Sequence, residues 1–161
     1  MDKNYTGIIK NMNYLVKIEN LDSAISLLDE MSESLRSLSA GSDYRRTMAE
    51  KFLKYGTILA IQKDSCYIGF SAFYANDTEN HTAFLSMIAV KKDYRGLSIG
   101  KELLDKTIEA SKRNNMKKLK LEVLKDNIKA IRFYQNNGFE ICSETENSFF
   151  MIKDIISEKT E

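Results

Sequence analysis

The order of the predicted elements constrains the fold of this chain more than any other feature of its sequence. Three segments rich in β-branched and aromatic residues follow one another across short polar turns, which predicts consecutive antiparallel strands: TILAIQKD, CYIGFSAFYAND and TAFLSMIAV. Helical and strand patterns then alternate in LSIGKELLDKTIEASKRNN, KKLKLEVLK, NIKAIRFYQNN and GFEICSE. Strand–helix–strand order implies crossover connections and locally parallel pairing. We therefore predict an α/β fold with a single mixed, mostly antiparallel twisted sheet of about seven strands and helices on both faces.

The residues before this pattern predict one strand and two helices. NYLVKIEN alternates weakly, which is typical of a first strand. Apolar residues recur at helical spacing throughout LDSAISLLDEMSESLRSLSA, so we predict one amphipathic helix with Asn20 as its N-cap and Gly41 as its stop. DYRRTMAEKFLKY predicts a shorter second helix closed by Gly56, and SFFMIKDI predicts a closing strand.

Length and charge bound the class of protein. The 161 residues have the size of one domain, and no linker, repeat or low-complexity tract divides residues 1–161. The 24 basic and 23 acidic residues nearly balance, so the net charge predicts neither nucleic-acid nor membrane binding. Because no apolar run approaches about 18 residues and no secretory signal is visible, we expect a cytoplasmic protein.

Neither disulfide nor metal chemistry is predicted. Cys66 and Cys142 stand in apolar, strand-like contexts without CxxC spacing, so we expect buried, reduced thiols. One histidine and unclustered carboxylates provide no ligand set for a metal ion. That histidine, His81, stands in a polar turn, where we expect it to be solvated rather than catalytic.

The turn YRGLSIGKELL places two glycines and several cations at the start of a helix. Gly96 and Gly100 would let a ligand approach the backbone, and the free N–H groups of a helix N-terminus bind phosphate oxygens. Nearby cations would attract a polyanion: Lys91, Lys92, Arg95 and Lys101. The alternative is structural, with Gly96 ending a turn and Gly100 packing the helix against the sheet.

Two common nucleotide motifs do not fit this turn. The spacing from Gly96 to Gly100 is one residue too short for a Walker A loop, and Glu102 stands where that loop carries a hydroxyl. A GxGxxG fingerprint fails because Ser98 follows Gly96 by two residues. A triphosphatase and a dinucleotide-binding domain are therefore disfavoured.

Two segments in this order resemble the GNAT family of N-acetyltransferases. The family's pyrophosphate motif is Gln or Arg, two residues, Gly, one residue, then Gly or Ala, and it falls here on Arg95 to Gly100, with Ser98 in place of the first glycine. LEVLKDNIKAIRFYQNNGFE resembles the family's second segment, with these residues in register: Asn127, Ala130, Tyr134, Gly138 and Phe139. The resemblance implies the acyl-CoA N-acyltransferase fold and acetyl-CoA as co-substrate.

The resemblance also assigns the coenzyme-binding residues. Backbone groups of the strand ending in MIAV would bind the pantetheine amides like an added strand, and the following turn would bind the pyrophosphate. The implied coenzyme contacts are Ile88, Ala89, Val90, Arg95, Gly96, Leu97, Ser98, Ile99, Gly100, Lys101, Asn127, Ala130 and Tyr134. Asn127 has a second interpretation, because an N-cap of the following helix would equally select Asn.

The same resemblance implies two catalytic residues. An amine that attacks a thioester must be neutral, and the departing thiolate must be protonated or stabilised. Tyr134 would donate the proton or hydrogen bond to the sulfur. Glu122 would be the general base, acting through water, although a charged strand residue is an equal interpretation; Tyr74 is a further candidate for the relay.

The prediction for function is transfer of acetyl from acetyl-CoA to a primary amine of a small molecule, by direct attack in a ternary complex. Three alternatives stay open: an acyl-CoA-binding sensor without turnover, a protein N-terminal or lysine acetyltransferase, and an ATP-binding regulatory domain. We expect the acceptor pocket to be built from the first helix pair, the YANDTENH turn and the SETENS hairpin. Edge strands of such a sheet leave a homodimer open.

Overall fold

One sheet of eight strands carries four helices in the computed structural model, which describes residues 7–9 and 13–156. The strands are β1 (Gly7–Ile9), β2 (Asn13–Lys17), β3 (Thr57–Lys63), β4 (Cys66–Tyr74), β5 (Thr82–Val90), β6 (Lys118–Leu124), β7 (Glu140–Glu144) and β8 (Ser148–Asp154). The helices are α1 (Leu21–Glu30), α2 (Ser42–Tyr55), α3 (Ile99–Arg113) and α4 (Ile128–Asn136), with short 3-10 turns at Arg36–Ala40 and Lys92–Tyr94. The structure confirms the predicted α/β class and adds one strand to the seven expected.

The sheet is mixed because a single crossover makes parallel neighbours. Its order is β1-β2-β3-β4-β5-β6-β8-β7, and every neighbouring pair is antiparallel except β5 and β6, which α3 connects. The prediction of parallel pairing was wrong for the second crossover. The α4 connection carries the chain past one strand position, and the β7–β8 hairpin then places β8 between β6 and β7.

Two hydrophobic cores cover the two faces of the sheet. α1 and α2 pack on one face against apolar residues of β3, β4 and β5, with Leu27, Leu28 and Phe52 completely buried. α3 and α4 pack on the other face, against a core that also includes residues of β6 and β8. The α1/α2 core contains no residue of β6, β7 or β8, so the described helices leave that part of the face uncovered.

The first helix is shorter than its apolar periodicity predicts. Asn20 caps α1 as expected, its Oδ1 accepting a hydrogen bond from the Ser23 amide at 2.8 Å, but the helix ends at Glu30. Met31 and Leu38 are both fully buried in the α1/α2 core although the chain turns between them. Gly41, with φ of 119°, precedes α2 instead of ending α1, and α2 is the longer helix.

Both cysteines are free and exposed, so the prediction of buried thiols was wrong. Cys66 begins β4 directly after a tight turn, in which Asp64 and Ser65 have positive φ. Cys142 lies on β7, the edge strand, all of whose residues are exposed. Apolar neighbours in sequence did not bury either thiol because a hairpin end and an edge strand have too few packing partners.

Nothing in the described residues provides a membrane span or a metal site. No helix there has the length and apolar character needed to cross a bilayer. Nor does any group of three potential His, Cys, Asp or Glu ligands lie together in the part of the chain that the structure describes.

Candidate active site

The sheet opens into a fork between its two parallel strands. β5 and β6 pair only from Thr82 opposite Lys118 to Leu85 opposite Leu121. Beyond these pairs β5 continues along β4 to Val90, while β6 continues along β8 to Leu124. The facing edges of the two strands therefore have no ladder with each other near their carboxyl ends, so an extended ligand could hydrogen-bond there as an added strand.

A β-bulge in β5 marks the start of this fork. Ala72 of β4 pairs with Met87 and the next residue, Phe73, pairs with Leu85, which leaves Ser86 as the extra residue. Before the bulge Leu85 faces the α3/α4 core, and after it Met87 faces the α1/α2 core. The extra residue bends the strand and reverses which side chains face each core. Ile88 and Val90 consequently pack toward α3 and α4.

The turn after β5 and the start of α3 surround a cavity of about 390 Å³. Its walls include Val90, Arg95, Gly96, Ser98, Gly100 and Lys101, together with Phe133 of α4. The first N–H groups of α3 lie at this end of the helix, where an anion is favoured. Seven of the predicted coenzyme residues are thus consecutive in this turn, and six of them line the cavity.

The basic residues of this turn differ in their availability to an anion. Lys91 is half-buried, and its Nζ lies 2.8 Å from Glu30 Oε1. Arg95 is exposed and donates from Nε to the Val90 carbonyl oxygen at 3.0 Å, which braces the turn. Lys101 is exposed and pairs with Asp105 one helical turn along. All three side chains have a partner in the protein, but only Arg95 and Lys101 line the cavity.

Gly100 is not required by the packing of the helix on the sheet. A Cβ built at this position would lie 3.6 Å from Phe133 and 3.8 Å from Val90, which are ordinary contact distances. An alanine would fit there, so the structural interpretation does not explain the glycine. A small residue at this position keeps the cavity open.

Ser98 adopts the left-handed backbone conformation that glycine prefers. Its φ is 64° and its ψ is 16°, and Gly96 two residues earlier also has positive φ, 78°. The side chain makes no capping hydrogen bond to α3. The turn thus keeps its shape with serine in the family's glycine position, at a backbone cost of about 1 kcal/mol.

Replacement of Ser98 by glycine should stabilise the protein. Gly adopts this conformation without strain, and no capping hydrogen bond is lost. We expect the free energy of unfolding in urea to rise by about 0.5–1 kcal/mol after the entropy of the unfolded chain is included. Ser26→Gly in the exposed interior of α1 is the control and should lower it by about 1 kcal/mol. Equal destabilisation by both substitutions would contradict the strain at Ser98.

Tyr134 lies on α4 within the α3/α4 core. Its side chain is 8% exposed, and its ring makes edge-to-face contacts with Phe133 and Phe139. Burial raises the pKa of the Tyr134 phenol to about 12. The hydroxyl therefore stays protonated at neutral pH and can donate a hydrogen bond.

The raised pKa of Tyr134 predicts a loss of stability in alkali. An unfolded tyrosine ionises near pH 10, so the buried phenol's contribution is complete below pH 10 and is lost as pH rises toward 12. Between pH 9 and pH 11 we expect wild type to lose about 1 kcal/mol more unfolding free energy than Tyr134→Phe, measured in urea. The pKa values of Tyr67 and Tyr74 are also raised by burial, but both residues are present in both proteins. Identical losses would show that Tyr134 titrates normally.

Asn127 caps α4. Its Oδ1 accepts a hydrogen bond from the Ala130 amide at 3.3 Å, so the carboxamide oxygen is used for capping, as the second interpretation predicts. The side chain is exposed, and its NH₂ group is oriented by this bond. The pantetheine contact stays a prediction for that NH₂ group.

Glu122 and His81 lie in different places. Glu122 is exposed on β6 opposite Phe150 of β8, on the uncovered part of the α1/α2 face. It lies one position past the last β5–β6 pair, at the fork. His81 lies at the amino end of β5, where it is half-buried and its Nδ1 is 3.1 Å from the Asn115 carbonyl oxygen.

The loops expected around the acceptor do not all meet. The YANDTENH turn precedes β5, and its His81 carbonyl accepts from the Lys117 amide just before β6, so this turn lies at the amino ends of both strands. The β7–β8 hairpin lies at the carboxyl end of β6, where the Asn147 carbonyl oxygen accepts a hydrogen bond from the Lys125 amide. The prediction that both loops build one pocket was therefore wrong, because they lie at opposite ends of β6 and the length of that strand separates them.

Neither the bulge in β5 nor the contribution of α4 to the cavity wall was predicted from the sequence. Ser86 was the only polar residue in AFLSMIAV, and a polar residue that interrupts an apolar strand was the available signal. Phe133 precedes Tyr134 and was not assigned a role, although it lies beside Gly100 in the wall of the cavity.

Comparison with known proteins identifies the fold and the family. The chain superimposes on an acetyltransferase of the GNAT family from Staphylococcus aureus Mu50 with a TM-score of 0.73 and 23% identity, over 88% of this chain and 99% of that one. PaiA N-acetyltransferase from Thermoplasma acidophilum, solved in complex with coenzyme A, superimposes with a TM-score of 0.65 and 22% identity, over 87% and 98% of the two chains. At these identities the likeness shows the acyl-CoA N-acyltransferase fold. The model of the acetyltransferase (GNAT) family matches residues 25–139, and the chain belongs to that family.

Sequence relatives match shorter stretches. Spermine/spermidine N(1)-acetyltransferase of Bacillus subtilis strain 168 is 28% identical over 85 residues, which are 49% of this chain and 56% of that protein. Streptothricin acetyltransferase A of the same strain is 44% identical over 62 residues, 38% of this chain and 36% of that protein. The matched stretches thus span about half or less of these relatives.

Proposed function

We propose that this protein transfers the acetyl group of acetyl-CoA to a primary amine of a small molecule by direct attack in a ternary complex. One observation carries the proposal: the sheet forks between β5 and β6 directly beside a glycine-bounded cavity at the start of α3. The cavity fits a diphosphate, since helix N–H groups and Arg95 lie around it. The unpaired edge of β5 from Met87 to Val90 fits the amides of a pantetheine arm.

The two predicted catalytic side chains belong to opposite faces of the sheet. Tyr134 lies among the α3/α4 core residues, and Glu122 is exposed on the α1/α2 side. In the proposed reaction the amine approaches from the Glu122 side, its nitrogen attacks the thioester carbon, and the carbon–sulfur bond breaks. Glu122 accepts the amine's proton through water, and the sulfur leaves beside Tyr134.

The pKa of Tyr134 defines how it helps the leaving group. An alkyl thiol has a pKa near 8.5 in water, whereas burial raises the pKa of this phenol to about 12. Full proton transfer from phenol to thiolate would therefore be unfavourable by several kcal/mol. Tyr134 acts as a hydrogen-bond donor to the developing thiolate, and the proton released by the amine restores the neutral thiol through solvent.

The relatives' names favour small amines as acceptors. Spermine, spermidine and streptothricin are small molecules, and the matched stretches reach 44% identity. The acids of α1 that would attract a cationic amine are partly occupied, since Asp29 pairs with Arg45 and Glu30 with Lys91. Glu122 is therefore the acid that the proposal places nearest the amine.

A thiol-release assay with a panel of amines tests the proposal. The protein is mixed with acetyl-CoA and spermine, spermidine, streptothricin, an aminosugar, an amino acid or a lysine peptide, and free thiol is followed. We expect release above the amine-free background with at least one small amine. Release only with the peptide would favour a protein acetyltransferase, and coenzyme binding by calorimetry without any release would favour a sensor.

A further inference from the structure

The connection between α1 and α2, residues 31–41, begins at a contact with the residue that follows β5, and its middle lies near a residue that follows β6. At its start, Glu30 Oε1 accepts from Lys91 Nζ at 2.8 Å and from the Tyr67 amide at 3.1 Å, and Lys91 directly follows β5. Further along, Arg36 Nη1 lies 3.9 Å from Asp126 Oδ2, two residues after β6. Because parallel strands have their carboxyl ends at one edge of a sheet, the connection runs across the open end of the fork.

Arg45 of α2 holds this connection to both helices. Its Nε donates to Asp29 Oδ1 of α1 at 2.6 Å, and its Nη1 donates to the Leu38 carbonyl oxygen at 2.9 Å. The Arg45 side chain is 18% exposed, and Leu38 is fully buried. A planar guanidinium can make both contacts in fixed directions, which a lysine ammonium cannot. One side chain thus joins α1, α2 and the 3-10 turn.

We infer that Arg45 is a positioning residue for the amine acceptor, an inference that rests on the proposed function. The connection lies on the α1/α2 side of the fork, the same side as the exposed Glu122 carboxylate. The coenzyme cavity is built by the β5–α3 turn and α4, to which Arg45 makes no hydrogen bond among the described residues. Arg45 therefore fixes the acceptor side of the fork without fixing the coenzyme side.

The test separates acceptor binding from coenzyme binding. In Arg45→Met we expect the KM for the best amine of the panel to rise about tenfold, because two charge-assisted hydrogen bonds are lost. The Kd of acetyl-CoA, measured by calorimetry, should stay within about twofold. Arg45→Lys keeps the positive charge, but its ammonium can make only one of the two contacts at a time. The KM of this variant for the amine should therefore be intermediate. Arg46→Met is the control, since Arg46 is exposed and pairs with Glu50 on the outer side of α2.

Each outcome of this test has a separate meaning. An unchanged amine KM in folded Arg45→Met would overturn the inference and leave the proposed function intact. A parallel weakening of coenzyme binding would also overturn it, because a general loss of structure affects both sites. Wild-type protein that binds acetyl-CoA but acetylates no amine would overturn the proposed function and, with it, the acceptor role of Arg45.

Discussion

Replacement of Tyr134 by phenylalanine should lower kcat about a hundredfold and leave the Kd of acetyl-CoA within about twofold of wild type. The substitution removes only the hydroxyl. The ring keeps its edge-to-face contacts with Phe133 and Phe139, so the α3/α4 core and the cavity beside it should be preserved. Thiol release under saturating amine and acetyl-CoA gives kcat, and calorimetry gives the Kd.

Tyr55→Phe provides the matched control for this substitution. Tyr55 is 52% exposed at the end of α2, away from the described cavity, and loss of its hydroxyl should change neither quantity. A Tyr134→Phe enzyme with wild-type kcat would remove Tyr134 from the reaction. A large rise in Kd with unchanged kcat would instead make the hydroxyl a coenzyme contact.

The fold was predictable because local patterns and topology agree along most of the chain. TILAIQK, CYIGFSAFY and TAFLSMIAV form β3, β4 and β5 in the predicted order, and the apolar character of β5 on both faces matches its central, doubly covered position. Asn20 and Asn127 are the N-caps of α1 and α4, where short polar side chains bind free amides. These features depend on neighbours within a few residues, which a sequence displays directly.

The features that were not predictable depend on contacts between distant segments. Met31 and Leu38 continue a helical apolar spacing, yet the chain turns between them and both enter the same core, because α2 packs on the same face of the sheet as α1, against β3 and β4. The insertion of β8 between β6 and β7 depends on which edge accepts the last hairpin. Exposure of Cys142 follows from that insertion, since it leaves β7 at the edge of the sheet.

The candidate site also has a part that the sequence predicts and a part that it does not. The turn from Arg95 to Lys101 was predictable, because its residues are consecutive and its glycine spacing is specific. The fork was not, since it arises where a bulge at Ser86 directs β5 along β4 while β6 follows β8. Ser98 shows a further limit: a serine in a left-handed conformation preserves a turn that the motif assigns to glycine.

Gly100→Val should weaken acetyl-CoA binding about fiftyfold, equivalent to about 2 kcal/mol, while the protein stays folded. A Cβ at this position meets Phe133 and Val90 only at ordinary contact distances, and the two γ-methyl groups of valine would extend into the cavity of about 390 Å³. The fold can therefore accept the side chain, but the space proposed for the diphosphate is reduced. Calorimetry with acetyl-CoA measures the loss, and circular dichroism verifies folding.

Gly100→Ala distinguishes occupation of the cavity from an effect on the helix. Both substitutions place a Cβ at the second residue of α3, but alanine adds no γ-carbon, so its effect on the Kd should be within about fivefold. If valine and alanine weaken binding equally, the loss comes from the helix backbone or from the Cβ alone. If folded Gly100→Val binds acetyl-CoA with wild-type affinity, the diphosphate lies elsewhere, and the proposed placement of the thioester at the fork is lost with it.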